Sequence, residues 1–488
     1  MRKTCLYISL ILCLLATGLP SMAMPRLTVV AVVDGLTTDN LNLLRPYWQQ
    51  GGLRTLSEEA YQTSFTFPHL VFGGNETTAT LMTGVTPAEH GYTMDSYFLR
   101  RDRKLHAMLE DEQVKGIGTT LSLSPQALLS PTMSDQLRLL YPAAKIYAIG
   151  IHPETAVLLA GHAANACCWL DRDEQQWVAT AAYSEGLPTA AYEQNKNGRI
   201  AELAAHQWTP RMDIPMYNRP TAQERKKGFN YEVGKVLRRA PEANTLVIEL
   251  ALAIQKDEKL GTDMQPDMLL LQLNSLSPMT ESDQIQSAEH EDIYLRLNQD
   301  LGFLMEQLDR RIGRENYQLL VVGRPILGTA KQTMSDIHMP VRPFNVDRAA
   351  ALTGTYLMAI YGHERWVDGG YGQSIYLNRT LIEQKRLNLE TIQRQVANFL
   401  MDFEGIQIAM PGHEALAHPQ LANSISKRHL GDVVFNLQPG WQLMLNEQQM
   451  LDMVVDRQPT APLLFWCGTL RPMPQGKLTA TDVAGLIF

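Results

Sequence analysis

Leu27-Thr28-Val29-Val30-Ala31-Val32-Val33-Asp34-Gly35 decides the reading of this chain. The run carries no charge until Asp34, is rich in valine, and stops at a carboxylate and a glycine. A short, wholly apolar, β-branched run of this kind reads as a strand buried on both faces, as in the middle of a parallel sheet. Ligands of open α/β sheets collect beyond the carboxyl ends of such strands, so Asp34 stands where an acid of a functional site belongs. It has a second reading as a helix cap, because Thr37, Thr38 and Asp39 follow and a helical pattern starts near Leu41.

On the amino-terminal side, Arg2 and Lys3 precede an apolar run from Cys5 to Leu19, and Ser21-Met22-Ala23 supplies small residues. That is the pattern of a secretory signal peptide over residues 1–23, too short for a bilayer span. The expectation is export to the periplasm or cell surface. Without Arg2 and Lys3 the remainder has 41 basic against 51 acidic residues, a net charge of −10. No basic footprint for nucleic acid exists. Cys167, Cys168 and Cys467 are too few for a disulfide framework, so apolar packing must hold the fold. A composition 45% apolar supplies a large core, and no later run is long and apolar enough to cross a membrane.

On the carboxyl side, Leu41–Trp48 and Leu53–Tyr61 read as helices. A third covers Glu76–Met82, entered from Gly73-Gly74 and ended by Thr83-Gly84. Lys145–Ile151 reads as a strand that stops at His152-Pro153-Glu154. From Cys167 to about Pro241 the pattern weakens, with Trp169, Trp177 and Trp208 scattered among polar residues, and residues 167–241 are expected to form a cap outside the sheet. A helix over Thr245–Lys256 and a strand over Asp267–Leu273 follow. Ser287 opens the clearest helix, with Ile293, Leu297, Leu301, Leu304, Leu308 and Ile312 on one face and Gly313 as its stop. Tyr317–Val322 is a strand ending at Gly323-Arg324-Pro325; later pieces are Ser374–Leu377, a helix over Leu389–Phe403, and Leu463–Cys467. Alternation of strand and helix argues an α/β sheet with helical crossovers.

Several stretches together resemble one family. They are Val32-Val33-Asp34; Thr83-Gly84-Val85-Thr86-Pro87-Ala88-Glu89-His90-Gly91; Leu159 through Ala166; Tyr294-Leu295-Arg296-Leu297; Ala349 through Leu352 with Tyr356 through Gly362; Gly431-Asp432 with Pro439-Gly440-Trp441; and Pro462 through Phe465. In this order the chain resembles the alkaline phosphatase superfamily, specifically the exported bacterial phosphate-insensitive alkaline phosphatases of its nucleotide-pyrophosphatase-like branch. The resemblance implies an alkaline-phosphatase-like central β-sheet flanked by helices on both faces. It makes residues 24–488 one α/β domain carrying the inserted cap.

The resemblance also implies two zinc ions, a threonine nucleophile, an asparagine, and a Lys/Arg pair that steadies the phosphate. Carried over residue by residue, Asp34 matches the first metal ligand. The nucleophile falls on Gly74, or on Asn75 if the turn is shifted. The asparagine falls on Asp95, and the Lys/Arg pair on His152 and Glu154. An Asp and a His after the Asp267 strand become Ser277 and Glu281, around Pro278. An Asp-His-Gly becomes Arg324-Pro325-Ile326, and no histidine follows His429.

A zinc site needs three or four Cys, His, Asp or Glu ligands in fixed geometry, and without metal no hydroxyl is activated near neutral pH. Exchanging Lys and Arg for His152 and Glu154 turns an attractive field for phosphate neutral or repulsive. No catalytic residue and no bound metal are therefore expected, Asp34 being the clearly retained ligand position. Arg324 replaces a residue that shares a zinc with Asp34, and a guanidinium there is expected to pair with that carboxylate; otherwise it swings to solvent. Thr77 and Thr78 are alternative hydroxyls, more simply helix residues. His413 and His418 are a weak metal signal, Asp336 and His338 lie off the family's metal positions, and His162 reads as structural. The expected function is a non-catalytic binding or scaffold protein of the cell envelope, its partner another envelope protein or a polar ligand. The alternative is a zinc-dependent hydrolase of phosphate monoesters or diesters with a rearranged site.

Overall fold

The computed structural model describes residues 24–71, 74–171, 176–278, 287–325, 342–419, 421–438, 440–444, 459–469 and 473–488. The leader, residues 1–23, lies outside them, as do Glu281, Ile326, Asp336 and His338. The run from Leu27 forms β1 (Leu27–Asp34), buried at every position. Around it lie β2 (Tyr61–Thr66), β3 (Gly116–Ile117), β4 (Ile146–Gly150), β5 (Ala166–Leu170), β6 (Trp177–Thr180), β7 (Asp267–Asn274), β8 (Tyr317–Arg324), β9 (Thr460–Cys467) and β10 (Leu478–Thr479). These make one ten-stranded sheet in the order β10-β2-β9-β8-β1-β7-β4-β5-β6-β3. β8, β1, β7, β4 and β5 pair in parallel; β9 joins β8, and β6 joins β5, antiparallel.

Alternate residues of β1 feed two cores. Val29, Ala31 and Val33 meet α3 (Pro241–Asp257) and α4 (Ala288–Ile312), whose Leu297, Leu301, Leu304 and Leu308 form the buried face expected from the sequence. Val30 and Val32 meet the other face, covered by α1 (Asn75–Thr83), α2 (Pro153–Ala160) and the C-terminal turns. Ser287 caps α4 and Gly313 ends it. Helices thus flank both faces of the sheet.

Two readings of the sequence need correction. The helix expected to reach Tyr61 stops at Glu59, because Tyr61 opens β2 and pairs with Phe465 of β9. The cap expected from Cys167 starts later. Cys167, Trp169 and Trp177 belong to β5 and β6, wholly buried strands of the main sheet, and the chain leaves that sheet after Thr180. Aromatic and cysteine side chains on strands buried on both faces leave no alternation to read. A second departure was not foreseen as a sheet. Val367–Tyr371, Ser374–Leu377, Val433–Leu437 and Ile406–Pro411 form a four-stranded sheet over a core of its own, with Trp366, Val396, Leu400 and Phe435.

The segment after Thr180 docks on the first turns of α4 through buried carboxylates. Asp292 accepts from Trp208 Nε1 at 2.8 Å, Arg211 N at 2.9 Å, Tyr217 OH at 2.6 Å and Arg296 Nε at 2.7 Å. Glu291 accepts from the backbone N–H groups of Asn218 and Arg219 at 2.9 and 2.8 Å. Acids here also complement the positive end of the helix dipole. Asp292→Ala strands these donors, and urea unfolding is expected to show a loss of about 2–3 kcal/mol; a loss below about 0.5 kcal/mol would mean that surface packing alone holds the segment.

Candidate functional site

In-register parallel pairing brings three strand ends to one level: Asp34 lies opposite both Asn274 of β7 and Arg324 of β8. The chain then turns away on both sides, with Gly35 N donating to Arg324 O at 2.9 Å and Ser275 N to Asp34 O at 2.9 Å. Asp34 is not a helix cap; Thr37 caps the helix Thr38–Leu44. Its carboxylate is buried and faces the neighbouring strand.

Arg324 lies on that carboxylate. Its Nε is 2.6 Å from Oδ1 and its Nη2 2.7 Å from Oδ2, with both side chains over nine-tenths buried. The Gln272 amide donates to the same Oδ2 at 2.8 Å, while its carbonyl accepts from the N–H groups of Ile151 and His152 at 2.9 Å each. Arg324 Nη1 faces Asn75 Oδ1 at 2.9 Å, Thr155 Oγ1 at 3.1 Å and Thr78 Oγ1 at 3.2 Å. A guanidinium has five N–H groups in a fixed fork, and protein oxygens engage most of them here. Two helices and three strands thus meet at one ion pair.

The other positions carried over from the sequence surround this pair. Gly74 begins α1 at φ 96, and a Cβ added there would meet nothing within 4 Å. Asn75 links outward, its Nδ2 donating to Asp95 Oδ1 at 3.0 Å, and Tyr92 OH donates to the same oxygen at 2.8 Å. His152 stands at the N-cap position of α2 without a side-chain cap hydrogen bond; burial holds its pKa down at about 4, partly offset by Asp34 and reinforced by Arg324. Glu154 sits in the first turn of α2, Ser277 is buried, and Pro325 is half-buried after Arg324. The two alternative hydroxyls are engaged: Thr77 bonds the Gly74 carbonyl and Thr78 faces Arg324. His162 is structural, held by Asp135 Oδ2 at 2.8 Å and Leu128 O at 3.0 Å.

This arrangement does not fit a zinc ion. Among the described residues, the groups bonded to the Asp34 carboxylate are an amide and a guanidinium, and the guanidinium's other partners are amide and hydroxyl oxygens. Zinc takes thiolate, imidazole or carboxylate, and a cation already sits on the carboxylate. Among the described residues, one group of three His, Cys, Asp or Glu has ligand atoms within 4.8 Å of one another: Glu390, His413 and Glu414. It is at the surface, and Arg394 already bridges its two carboxylates at 3.0 and 2.7 Å.

Sequence reasoning missed Gln272, Thr155 and Tyr92. Gln272 left a signal, being the one polar residue inside the apolar run Met268–Leu273. Thr155 and Tyr92 left none, since their roles depend on how α2 and the loop after α1 are placed.

Residues 28–458 match the family model of type I phosphodiesterases and nucleotide pyrophosphatases. The chain is similar to alkaline phosphatase PafA of Elizabethkingia meningoseptica, 24% identical over 398 residues that cover 76% of this chain and 72% of that protein. It is also 24% identical over 459 residues to alkaline phosphatase PhoV of Synechococcus elongatus, covering 86% of this chain and 81% of that one. The crystal structure of wild-type PafA superposes with a TM-score of 0.82 at 22% identity over 95% of both chains, a likeness of fold. The family match over most of the chain and the likeness of fold to PafA lead to one assignment: the chain belongs to the type I phosphodiesterase/nucleotide pyrophosphatase family, on the alkaline phosphatase superfamily fold.

Proposed function

We propose that this protein is a non-catalytic member of its family, exported to the periplasm or cell surface, which uses the old cleft and the cap as a binding surface. One observation carries the reading: Arg324 places a fixed positive charge on both oxygens of the Asp34 carboxylate. A metal ion and a guanidinium cannot share that carboxylate, and the hydroxyls nearby are engaged: Thr77 with the Gly74 carbonyl, Thr78 with the guanidinium, Thr155 with the guanidinium and Asn75. At the nucleophile position stands Gly74, which has no side chain, or the amide of Asn75. Export rests on the sequence of residues 1–23, and an envelope partner follows from that address.

The test is direct. Purified protein is analysed for metal, then assayed with p-nitrophenyl phosphate and bis-p-nitrophenyl phosphate in added zinc. The expected outcome is no stoichiometric zinc and no turnover above buffer. Turnover that disappears in Asp34→Ala would instead establish a hydrolase with a rearranged site.

A further inference from the structure

The segment that docks on α4 through Asp292 and Glu291 has an outer face that those bonds leave open. Residues 207–239 hold eight basic and three acidic residues, a net charge of +5 within a chain of −8, which leaves −13 for the rest. The helix Ala222–Lys227 shows how the signs are sorted. Thr221 caps it and Glu224 closes the capping box. The Glu224 carboxylate, buried, also accepts from the N–H groups of Ala288 and Glu289 at 3.1 and 3.0 Å, which pins this helix to the first turn of α4. The acid is spent inward, and Arg225, Lys226 and Lys227 are exposed on the outside. Among the described residues none of the three is ion-paired, whereas Lys235 is held by Glu232 at 2.8 Å.

An apolar turn stands beside these charges. A Cβ added to Gly228, the residue after Lys227, would meet Pro210 Cγ at 3.8 Å and Ile214 Cγ1 at 3.9 Å, so the turn Ile214–Met216 lies against the basic end of the helix. Pro215 is exposed, and Met216 is 55% exposed. Tyr47, exposed as well, reaches the same loop, its hydroxyl donating to Asn218 Oδ1 at 3.4 Å. Tyr217 is buried on Asp292, so the turn is anchored from behind while its apolar side chains face water. Arg211 and Arg219 flank it, and Asp213 is the one exposed acid among residues 211–227.

A protruding thioether, proline and tyrosine next to unpaired cations make a surface of two parts. An acidic polypeptide or a free anion neutralises the charges and leaves the apolar tip in water. The headgroup layer of an anionic bilayer meets both, because it yields around apolar side chains while its phosphates attract Lys and Arg. We propose that this face docks on a membrane surface bearing anionic phospholipids, with Met216 and Tyr47 entering the headgroup layer and Arg225, Lys226 and Lys227 lying against the phosphates. The proposal deepens the reading of the cap as a binding surface and rests on that part of it. Vesicle binding is scored without reference to turnover, so a hydrolase can pass this test and a non-catalytic protein can fail it.

The purified protein is sedimented with vesicles of phosphatidylcholine, alone or mixed equally with phosphatidylglycerol, in about 0.1 M and about 1 M salt, between which the Debye length falls from about 10 to about 3 Å. Binding is expected on the mixed vesicles in the lower salt, at least about ten-fold weaker on phosphatidylcholine alone, and lost in the higher salt. Each Lys or Arg at such a surface contributes about five-fold, so Arg225→Gln, Lys226→Gln and Lys227→Gln together are expected to weaken binding about 100-fold. Met216→Ser is expected to weaken it about five-fold with the salt dependence unchanged. All four positions are exposed, so the melting curve should stay in place. No binding to the mixed vesicles, equal binding to both compositions, or binding unmoved by the triple substitution would overturn the proposal. Binding that ignores Met216→Ser while soluble poly-glutamate competes for it would also overturn it, and would assign the face to an acidic polypeptide.

Discussion

Arg324→Ala is expected to lower folding stability by about 3–5 kcal/mol, the cost of leaving a buried carboxylate without its cation. Asp34 sits at the end of a wholly buried strand, and its remaining side-chain donor would be the Gln272 amide at 2.8 Å. The same truncation strips a donor from Asn75, Thr78 and Thr155, the oxygens that join α1 and α2 to the strand ends. Against a typical total of about 5–15 kcal/mol, this single loss puts the native state in jeopardy. Chemical unfolding of Arg324→Ala, Asp34→Asn and the double variant completes a cycle. The double variant should be less destabilised than Arg324→Ala alone, because it removes the orphaned charge with its partner. Zinc gives a second readout: it should not restore Arg324→Ala, since among the described residues the side chains that the guanidinium joins to Asp34 are amides and hydroxyls. A loss under about 1 kcal/mol would mark the pair as solvated and remove the main support for the proposed non-catalytic reading.

The pairing could be anticipated because it follows from two strand ends and one charge. β1 and β8 announce themselves as apolar runs, both stop at a charged residue, and adjacent parallel strands with equal register set those residues side by side. The long helix α4 was equally open to reading, because its apolar spacing repeats over more than five turns between a serine cap and a glycine stop. The second partner of Asp34 depends on register: Gln272 sits two residues short of the end of β7, and only pairing aims its amide at the neighbouring strand. β5 and β6 hid because Cys167, Trp169 and Trp177 are buried on strands with no polar face to mark a period. Docking of the segment after Thr180 was invisible for another reason. Asp292 and Glu291 look like the ordinary acids of a helix start, whereas several of their partners are backbone N–H groups from residues 211–219, which any sequence possesses.

Acid should unfold this protein cooperatively between about pH 4 and 5, well before its carboxylates are exhausted. Five histidines are held neutral chiefly by desolvation: His69 at about 4, His90 at about 3, His152 at about 4, His290 at about 4 and His429 at about 4, against an ordinary value of 6.5. Hydrogen bonds fix the protons of the first two. His69 Nδ1–H donates to Leu70 O at 3.0 Å, and its Nε2 accepts from Thr80 Oγ1 at 2.9 Å. His90 Nδ1 accepts from Tyr92 N at 3.2 Å, so its Nε2–H donates to the same Thr80 oxygen at 3.0 Å. A second proton on either ring meets a donor already in place. Because the folded values lie below the unfolded one, the stability these groups contribute is complete above pH 6.5 and drains as pH falls toward the folded values. Asp300 works in the opposite sense: burial raises it to about 7, so its contribution grows as pH falls from 7 toward 3.8. Among these groups, five protons taken up on unfolding against one released leave a net uptake near four, or about 5 kcal/mol per pH unit. His90→Gln tests this without depending on its own stability, since the number of protons bound on unfolding should drop by about one. Circular dichroism across the pH range yields that number from the dependence of the urea midpoint on pH, and a slope unchanged by the substitution would show that His90 does not titrate with the fold.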